Sequence, residues 1–285
     1  MKGGLIWAEK DWEGNAEQYD VTSMYPYLMR KMTWPICKGK FQTIQDFEYN
    51  NRGIKMIYYG IFKAIVEEKD DMKKLFRYNL LGIYTHLDLS RAKALGLNVT
   101  LQKSSPNALI YDSKAKYPGE TMFGAYIDLL FKIKNTNGPA SRPAKKILNT
   151  LWGALCQRKH SYTFIGEGTK YTSDPFEVPT GHMIKTITPL HDDEWRVEYH
   201  SPAEIFEGEY PRVAPFLLAF GRKTISKIIE PYADQLKRVH TDGFILEKSL
   251  GFRASPNITV SENASKILGS LKFEKEGQCL VKNAM

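Results

Sequence analysis

Lys237-Arg238-Val239-His240-Thr241-Asp242-Gly243-Phe244-Ile245-Leu246 reads as an apolar strand, a tight turn holding one carboxylate, and a second apolar strand. Val239 leads into the turn, and Phe244, Ile245 and Leu246 lead out of it. Asp-Gly is the dipeptide that supplies the positive φ angles of a short hairpin turn, so read alone this stretch is a plain β-hairpin. A second acidic stretch changes its meaning. In Tyr19-Asp20-Val21-Thr22-Ser23-Met24-Tyr25-Pro26 another carboxylate follows a strand-like run, so two acidic loop positions are candidates to converge on one divalent metal site.

Composition sets the outer limits. The chain has 285 residues, enough for one large or two modest domains. A hydrophobic fraction of 42% and an aromatic fraction of 12% belong to a globular protein of mixed class. Forty Lys and Arg against 32 Asp and Glu give a net charge of +8, which suits a polyanionic partner such as nucleic acid and equally a solvated surface. Cys37, Cys156 and Cys279 are too few and too scattered for a disulfide framework, and none forms a Cys-x-x-Cys pair. An intracellular, reducing compartment is therefore expected. No apolar run approaches ~20 residues, and the amino terminus lacks the apolar core of a signal peptide, so no membrane partner is expected.

Taken in order, Gly3-Gly4 and the apolar Leu5-Ile6-Trp7 precede a charged connector and the strand ending near Asp20. Ser23 has the chemistry of a helix N-cap, with Met24, Tyr25, Leu28 and Met29 along one face and Pro26 in the first turn. Residues 33–112 read mostly as β-structure: strands over Tyr58 to Val66, Leu80 to Tyr84, Leu97 to Leu101 and Ala108 to Tyr111. Thr85-His86-Leu87-Asp88 reads as a capping box opening a helix that Gly96 stops. Two helices follow. The first, from about Glu120 to Asn135, carries an apolar stripe of Met122, Tyr126, Leu129, Leu130 and Ile133. The second runs from about Ser141 to Arg158 and sets Lys145 and Asn149 on one face, a grouping that suits a phosphate and a base edge or simply a solvated helix. Short strand candidates fill Tyr162 to Tyr210, a helix spans Phe216 to Ile229, and Leu268 to Glu274 and Cys279 to Lys282 read as two last strands.

Three of these segments resemble the motifs of one family. Asp20-Val21-Thr22-Ser23-Met24-Tyr25-Pro26 resembles motif A of family B DNA polymerases, D-x-x-S-L-Y-P. Lys145-Lys146-Ile147-Leu148-Asn149-Thr150-Leu151-Trp152-Gly153 is similar to their motif B, K-x-x-x-N-S-x-Y-G, with Thr for Ser and Trp for Tyr. His240-Thr241-Asp242-Gly243 is similar to motif C, D-T-D-S, and Gly3-Gly4 resembles the Y-x-G-G segment of the protein-primed branch found in phages, viruses and linear plasmids. The resemblance implies an α+β fold: an antiparallel palm sheet with Asp20 and Asp242 on adjacent strands, packed helices including the 216–229 helix, a helical fingers hairpin and β-rich insertions. The expected division is palm over 1–32 and 211–285, an insertion-like region over 33–113, fingers over 114–160 and a β-rich insertion over 161–210.

The same resemblance implies a template-dependent DNA polymerase core that joins dNTPs to the 3′-hydroxyl of a DNA primer-template. Two Mg²⁺ ions, or Mn²⁺, would activate the hydroxyl and shield the leaving pyrophosphate. Such ions need only a few hard oxygen ligands from protein, here Asp20, Asp242 and the Val21 carbonyl. Tyr25 would pack beneath the incoming sugar, Lys145 and Lys134 would bind the triphosphate, and Asn149 would lie near the nascent base pair. Trp152, Gly153, Thr241 and His240 fall on the template and primer side, with Thr241 supporting the turn. A terminal priming protein is an expected partner, and residues 40–111 occupy the place where the branch contacts it. The segment before Tyr210 occupies the place of the branch's insertion around the template.

Departures from the pattern shape the alternatives. His240 stands where motif C usually begins with aspartate, and an imidazole supplies no negative charge and is a poor Mg²⁺ ligand. Gly243 replaces serine at a position where a turn accepts glycine readily. No D-x-E exonuclease motif precedes Asp20, and Lys282-Asn283-Ala284 only partly resembles the K-x-Y motif before a thumb, so exonuclease and thumb domains are expected to be absent. A second reading is a catalytically inactive palm domain that binds nucleic acid or a replication partner. A third, an unrelated metal-dependent nuclease, leaves the Lys145 and Asn149 helix without a purpose.

Overall fold

The computed structural model describes residues 3–47, 57–136, 138–159, 161–166, 177–191, 193–203, 205–248 and 263–282. The chain opens with β1 (Ile6–Ala8), β2 (Trp12–Val21) and α1 (Met24–Lys31). It continues through β3 (Thr33–Pro35), β4 (Lys40–Gln42), β5 (Gly60–Val66), β6 (Ile83–Thr85), α2 (His86–Ala94), β7 (Val99–Leu101), β8 (Ala108–Ile110) and β9 (Lys116–Pro118). Helices α3 (Gly119–Lys134) and α4 (Ser141–Ala154) lead to β10 (Ser161–Ile165), β11 (Met183–His191) and β12 (Glu194–His200). The long helix α5 (Val213–Ile229) precedes β13 (Leu236–His240), β14 (Gly243–Glu247) and β15 (Leu271–Val281). Among the described residues no helix is long and apolar enough to cross a membrane.

The chain divides into two compact units, Met1–Leu151 with Arg212–Met285 and Trp152–Pro211. At the centre of the first lies a five-stranded antiparallel sheet in the order β1-β13-β14-β2-β15. Alternation along its strands gives it one dry face, where Tyr19, Val21, Val239, Phe244, Leu246 and Leu271 are all buried. The Tyr19 and Phe244 rings stack there at 5.3 Å, and Phe273 meets Tyr19 edge-on at 5.6 Å. The opposite face carries Gln18, Asp20, Arg238, His240 and Lys272, residues that sit two apart along their strands or directly opposite one another.

A second sheet, β4-β8-β5-β6 with β7 also on β5, packs Phe62, Phe76, Tyr84 and Leu89 into a core of its own. Its helix α2 begins with the expected capping box, Thr85 and Asp88 each accepting the other's backbone N–H, and Gly96 follows its end at φ 72°. Helix α5 packs on α1 and α2, and Arg222 on it forks onto the Asp88 carboxylate at 3.0 Å. The second unit holds the three-stranded antiparallel sheet β10-β12-β11.

Several local expectations are corrected. Asp20 is the penultimate residue of β2 rather than a loop residue. Leu80 and Leu81 lie in an exposed turn, and the strand begins only at Ile83, because Gly82 at φ 63° turns the chain there. The buried stripe of α3 is Phe123, Ile127 and Leu130, leaving Tyr126 and Leu129 exposed. That rotation follows from Gly119, where a Cβ would lie 1.9 Å from the Met29 carbonyl oxygen, so the glycine lets α3 start directly against α1. Helix α4 ends at Ala154, short of Arg158, whose backbone bridges instead to Phe206. The two strands expected after Leu268 are one, because β15 pairs with β2 along its whole length. Asn283 and Ala284 lie outside the described residues.

Candidate active site

Strand pairing brings the two acidic stretches together from opposite ends of the chain. Gly243 lies directly opposite Asp20, and Lys272 faces Asp20 from the other side. The Val21 N–H donates to the Asp242 carbonyl at 2.9 Å, tying the end of β2 to the turn. A Cβ at Gly243 would lie 3.3 Å from Asp20 Oδ1, so the residue that replaces a serine lets the carboxylate sit against the turn. Val21 itself is buried.

The turn differs from the expected Asp-Gly form. The residue at positive φ is Thr241, at 64°, and the Asp242 N–H closes onto the His240 carbonyl at 2.9 Å. A β-branched residue there is strained by roughly 1–3 kcal/mol. Its neighbours hold it in place. The Thr241 N–H donates to the Leu5 carbonyl at 2.8 Å, and a Cβ at Gly4 would lie 2.9 Å from Thr241 Cα. The Gly3-Gly4 pair thus supports this turn, while Arg222 and Arg77 donate to the Gly3 and Gly4 carbonyls.

Asp20 and Asp242 line an open cleft with Thr22, Ser23, Lys134, Asn135, Lys145, Asn149, Ser265, Lys272 and Glu274. Lys145 and Asn149 stand one turn apart on the exposed face of α4, whose Ala144 and Leu148 are buried. Lys134 is half-buried and its Nζ donates to Ser23 Oγ at 2.9 Å. That contact corrects the reading of Ser23: the residue precedes α1 in a left-handed conformation, and its hydroxyl makes no cap. Tyr25 packs its ring against Gly221 of α5 and does not line the cleft, although the Asp242 charge is close enough to help burial push its phenol up to about 12. His240 is exposed and lines a neighbouring groove. Trp152 and Gly153 lie in the last turn of α4, within the second unit.

Electrostatics mark the two carboxylates as a strained pair. Burial first, and then the Asp242 charge, push the Asp20 carboxyl up to about 7. Burial raises Asp242 as well, against a lowering influence from His240. Burial and the neighbouring Lys145 lower the Lys134 ammonium. Two hard carboxylates that repel one another are the donor set a divalent cation fits, and the cation would remove the repulsion. Among the described residues no group of three or more acidic, His or Cys side chains forms a complete metal cage. Mg²⁺ does not require one, since it keeps water and substrate oxygens.

Sequence reading missed Lys272 and Glu274. The register of β15 steps from Phe273 opposite Tyr19 to Lys275 opposite Gln18, leaving Glu274 as the extra residue of a β-bulge. The bulge sets a third carboxylate on the cleft, paired with Lys272 at 2.9 Å. Only the pairing with β2 reveals it.

The family described as DNA polymerase type B, organellar and viral, matches residues 1–193. The chain belongs to that family. A probable DNA polymerase from Neurospora intermedia is 25% identical over 290 residues, an alignment covering 95% of this chain and 28% of that protein. The fold is similar to that of Phi29 DNA polymerase. In its complex with single-stranded DNA the TM-score is 0.62 at 18% identity, covering 96% of this chain and 45% of that one. In its complex with primer-template DNA and incoming nucleotide substrates the TM-score is 0.60 at 17% identity, with 96% and 46% covered. This type B polymerase chain therefore spans less than half the length of either relative.

Proposed function

We propose that this chain is the catalytic core of a template-dependent DNA polymerase of the protein-primed kind, extending a DNA primer with dNTPs. The observation that carries the proposal is the strand register that sets Asp20 beside the Asp242 turn on one cleft with Lys134, Lys145 and Asn149. In this reading the five-stranded sheet is the palm and α3 with α4 the fingers. Asp20, Asp242 and the Val21 carbonyl would hold divalent cations, which when bound supply Lewis-acid activation of the 3′-hydroxyl and charge relief at the leaving pyrophosphate.

The remaining roles belong to this chain's own groups. Lys145 and Lys134 compensate the triphosphate charge, and the lowered Lys134 ammonium is a partly desolvated donor that gains from an anionic ligand. Asn149, one turn along α4, presents an amide to the base pair being formed. Tyr25, whose ring lies against Gly221 and outside the cleft lining, would act from α1 by supporting the floor beneath the sugar rather than by contacting it. Glu274 restrains Lys272 beside Asp20. Because Asp242 is present, His240 in place of an aspartate leaves the shared carboxylate pair intact.

Primer extension on a recessed DNA duplex with dNTPs and Mg²⁺ or Mn²⁺ tests the proposal. Extension is expected with the wild-type chain and should vanish in Asp242→Ala while DNA affinity persists. A wild-type chain that binds DNA but extends no primer with either metal overturns the polymerase reading and leaves a nucleic-acid-binding module.

A further inference from the structure

A second groove shares Asp20 and Asp242 with the cleft but has different walls, Gln18, Arg238, His240, Gly243, Phe244 and Ile245. Registry explains the lining. On β13 Val239 is buried on the dry side, so its neighbours Arg238 and His240 share the other. Arg238 lies opposite Ile245, which lies opposite Gln18, and His240 lies opposite Gly243, which lies opposite Asp20.

The charge of this wall is unspent. The neighbouring Lys237 is held by Glu9 and Glu247 at 3.0 and 3.1 Å, whereas the Arg238 guanidinium makes no ion pair or side-chain hydrogen bond among the described residues. A half-exposed guanidinium with its charge uncompensated, lining the same groove as the two carboxylates, can grip a phosphate with two parallel hydrogen bonds. An aspartate at 240 would repel such a group. His240 removes that repulsion and adds a ring nitrogen able to donate.

We propose that Arg238 and His240 seat the backbone phosphates nearest the 3′ end of the strand being extended. The inference rests on the polymerase reading above and names the opposite wall of the same site. Lys134 and Lys145 already furnish the cationic wall of the cleft that suits a triphosphate, and the two substrates must approach the carboxylates from different sides. Arg238 and His240 are two residues apart on one strand, roughly 6.7 Å, a spacing comparable to that of successive phosphates. Because the seat contacts phosphate and not bases, it carries no sequence preference.

The test measures primer-template affinity of the full chain as a function of salt, with no turnover required, and separately the KM for dNTP. Arg238→Ala should raise the primer-template Kd about fivefold or more and reduce the salt slope by about one, leaving KM for dNTP unchanged. Arg238→Lys should keep the slope, and Lys38→Ala, which removes an exposed charge elsewhere, should change the Kd little. Methylphosphonates at the last primer linkages should weaken the wild type as much as Arg238→Ala does and add nothing further in that variant. Additive penalties, or an effect no larger than that of Lys38→Ala, overturn the seat. A raised KM for dNTP in place of a raised Kd assigns Arg238 to the triphosphate and overturns it too. Should Arg238→Ala not fold, Arg238→Gln carries the same comparison. A wild type that shows the coupling yet extends no primer keeps the seat and loses the polymerase reading.

Discussion

The five-stranded sheet around Asp20 and the three-stranded sheet β10-β12-β11 use the same antiparallel ladder, yet of the two only the first has a dry face among the described residues. In the central sheet Tyr19, Val239, Phe244, Leu246 and Leu271 are 5% exposed or less. In the other sheet Val197 is the one buried residue among the described strand residues, while Tyr162, Ile184, Ile187 and Trp195 stand open. Bulges do not separate the two sheets, since β11 carries two against β12 and the central sheet carries one in β13 and one in β15. What a buried face forbids is a slip of the whole strand, because moving β2 by one residue would drive Asp20 into the core and Tyr19 into water. Fixed carboxylates therefore require a sheet with an inside.

The largest expected effect contrasts the two interiors directly. Phe244→Ala should cost about 3–5 kcal/mol in urea unfolding, because it empties the ring stack behind the site. Val197→Ala should cost roughly 1.5–3 kcal/mol and be felt as faster amide exchange in β10, β11 and β12. Equal losses from the two substitutions would break the contrast. Next in size, Gly4→Ala should destabilise by about 1–3 kcal/mol, since its Cβ would press on the Thr241 backbone. Primer extension should fall more than stability explains, because the displaced turn carries Asp242. A Gly4→Ala chain with wild-type melting and extension would show that the turn needs no support.

The smallest effect concerns charge. The Asp20 carboxyl of the folded chain sits at about 7 against an ordinary 3.8, so the folded state holds a proton that the unfolded state has released. Stability from this group is therefore fully present below pH 3.8 and is lost as pH rises through about 7. Asp20→Asn, in chelator, should stabilise by about 1–2 kcal/mol at pH 8, allowing for solvent screening, and change little at pH 4. Thermal melts at both pH values check this, and equal shifts at the two would contradict it. Divalent cation should raise the wild-type Tm more at pH 8 than at pH 6, because the carboxylates must be deprotonated to bind it.

Features set by neighbours in sequence were legible without the fold. The Thr85 and Asp88 capping box, the Gly96 stop and the Lys145 to Asn149 spacing needed only helical periodicity. The hairpin at 236–247 was equally plain, although its strain sits on Thr241 rather than on Asp242-Gly243. Features set by partners far along the chain were not. Glu274 enters the cleft through a bulge that exists only against β2, and the Ser23 hydroxyl accepts from Lys134 of α3. The α3 stripe was misread because Gly119 and α1, not periodicity, set its rotation.

By itself, then, the amino-acid order determined the family motifs, the alternation that makes one face of the central sheet dry, and the chemical types available for a two-carboxylate site. Those are local properties of spacing and side-chain character. The tertiary structure alone decided which residues meet: Asp20 beside the Asp242 turn, Gly4 beneath Thr241, Glu274 on a bulge and Arg238 on the groove beside the cleft. The reason is strand register, which belongs to pairs of segments and is selected by the burial of a whole face rather than by any one residue.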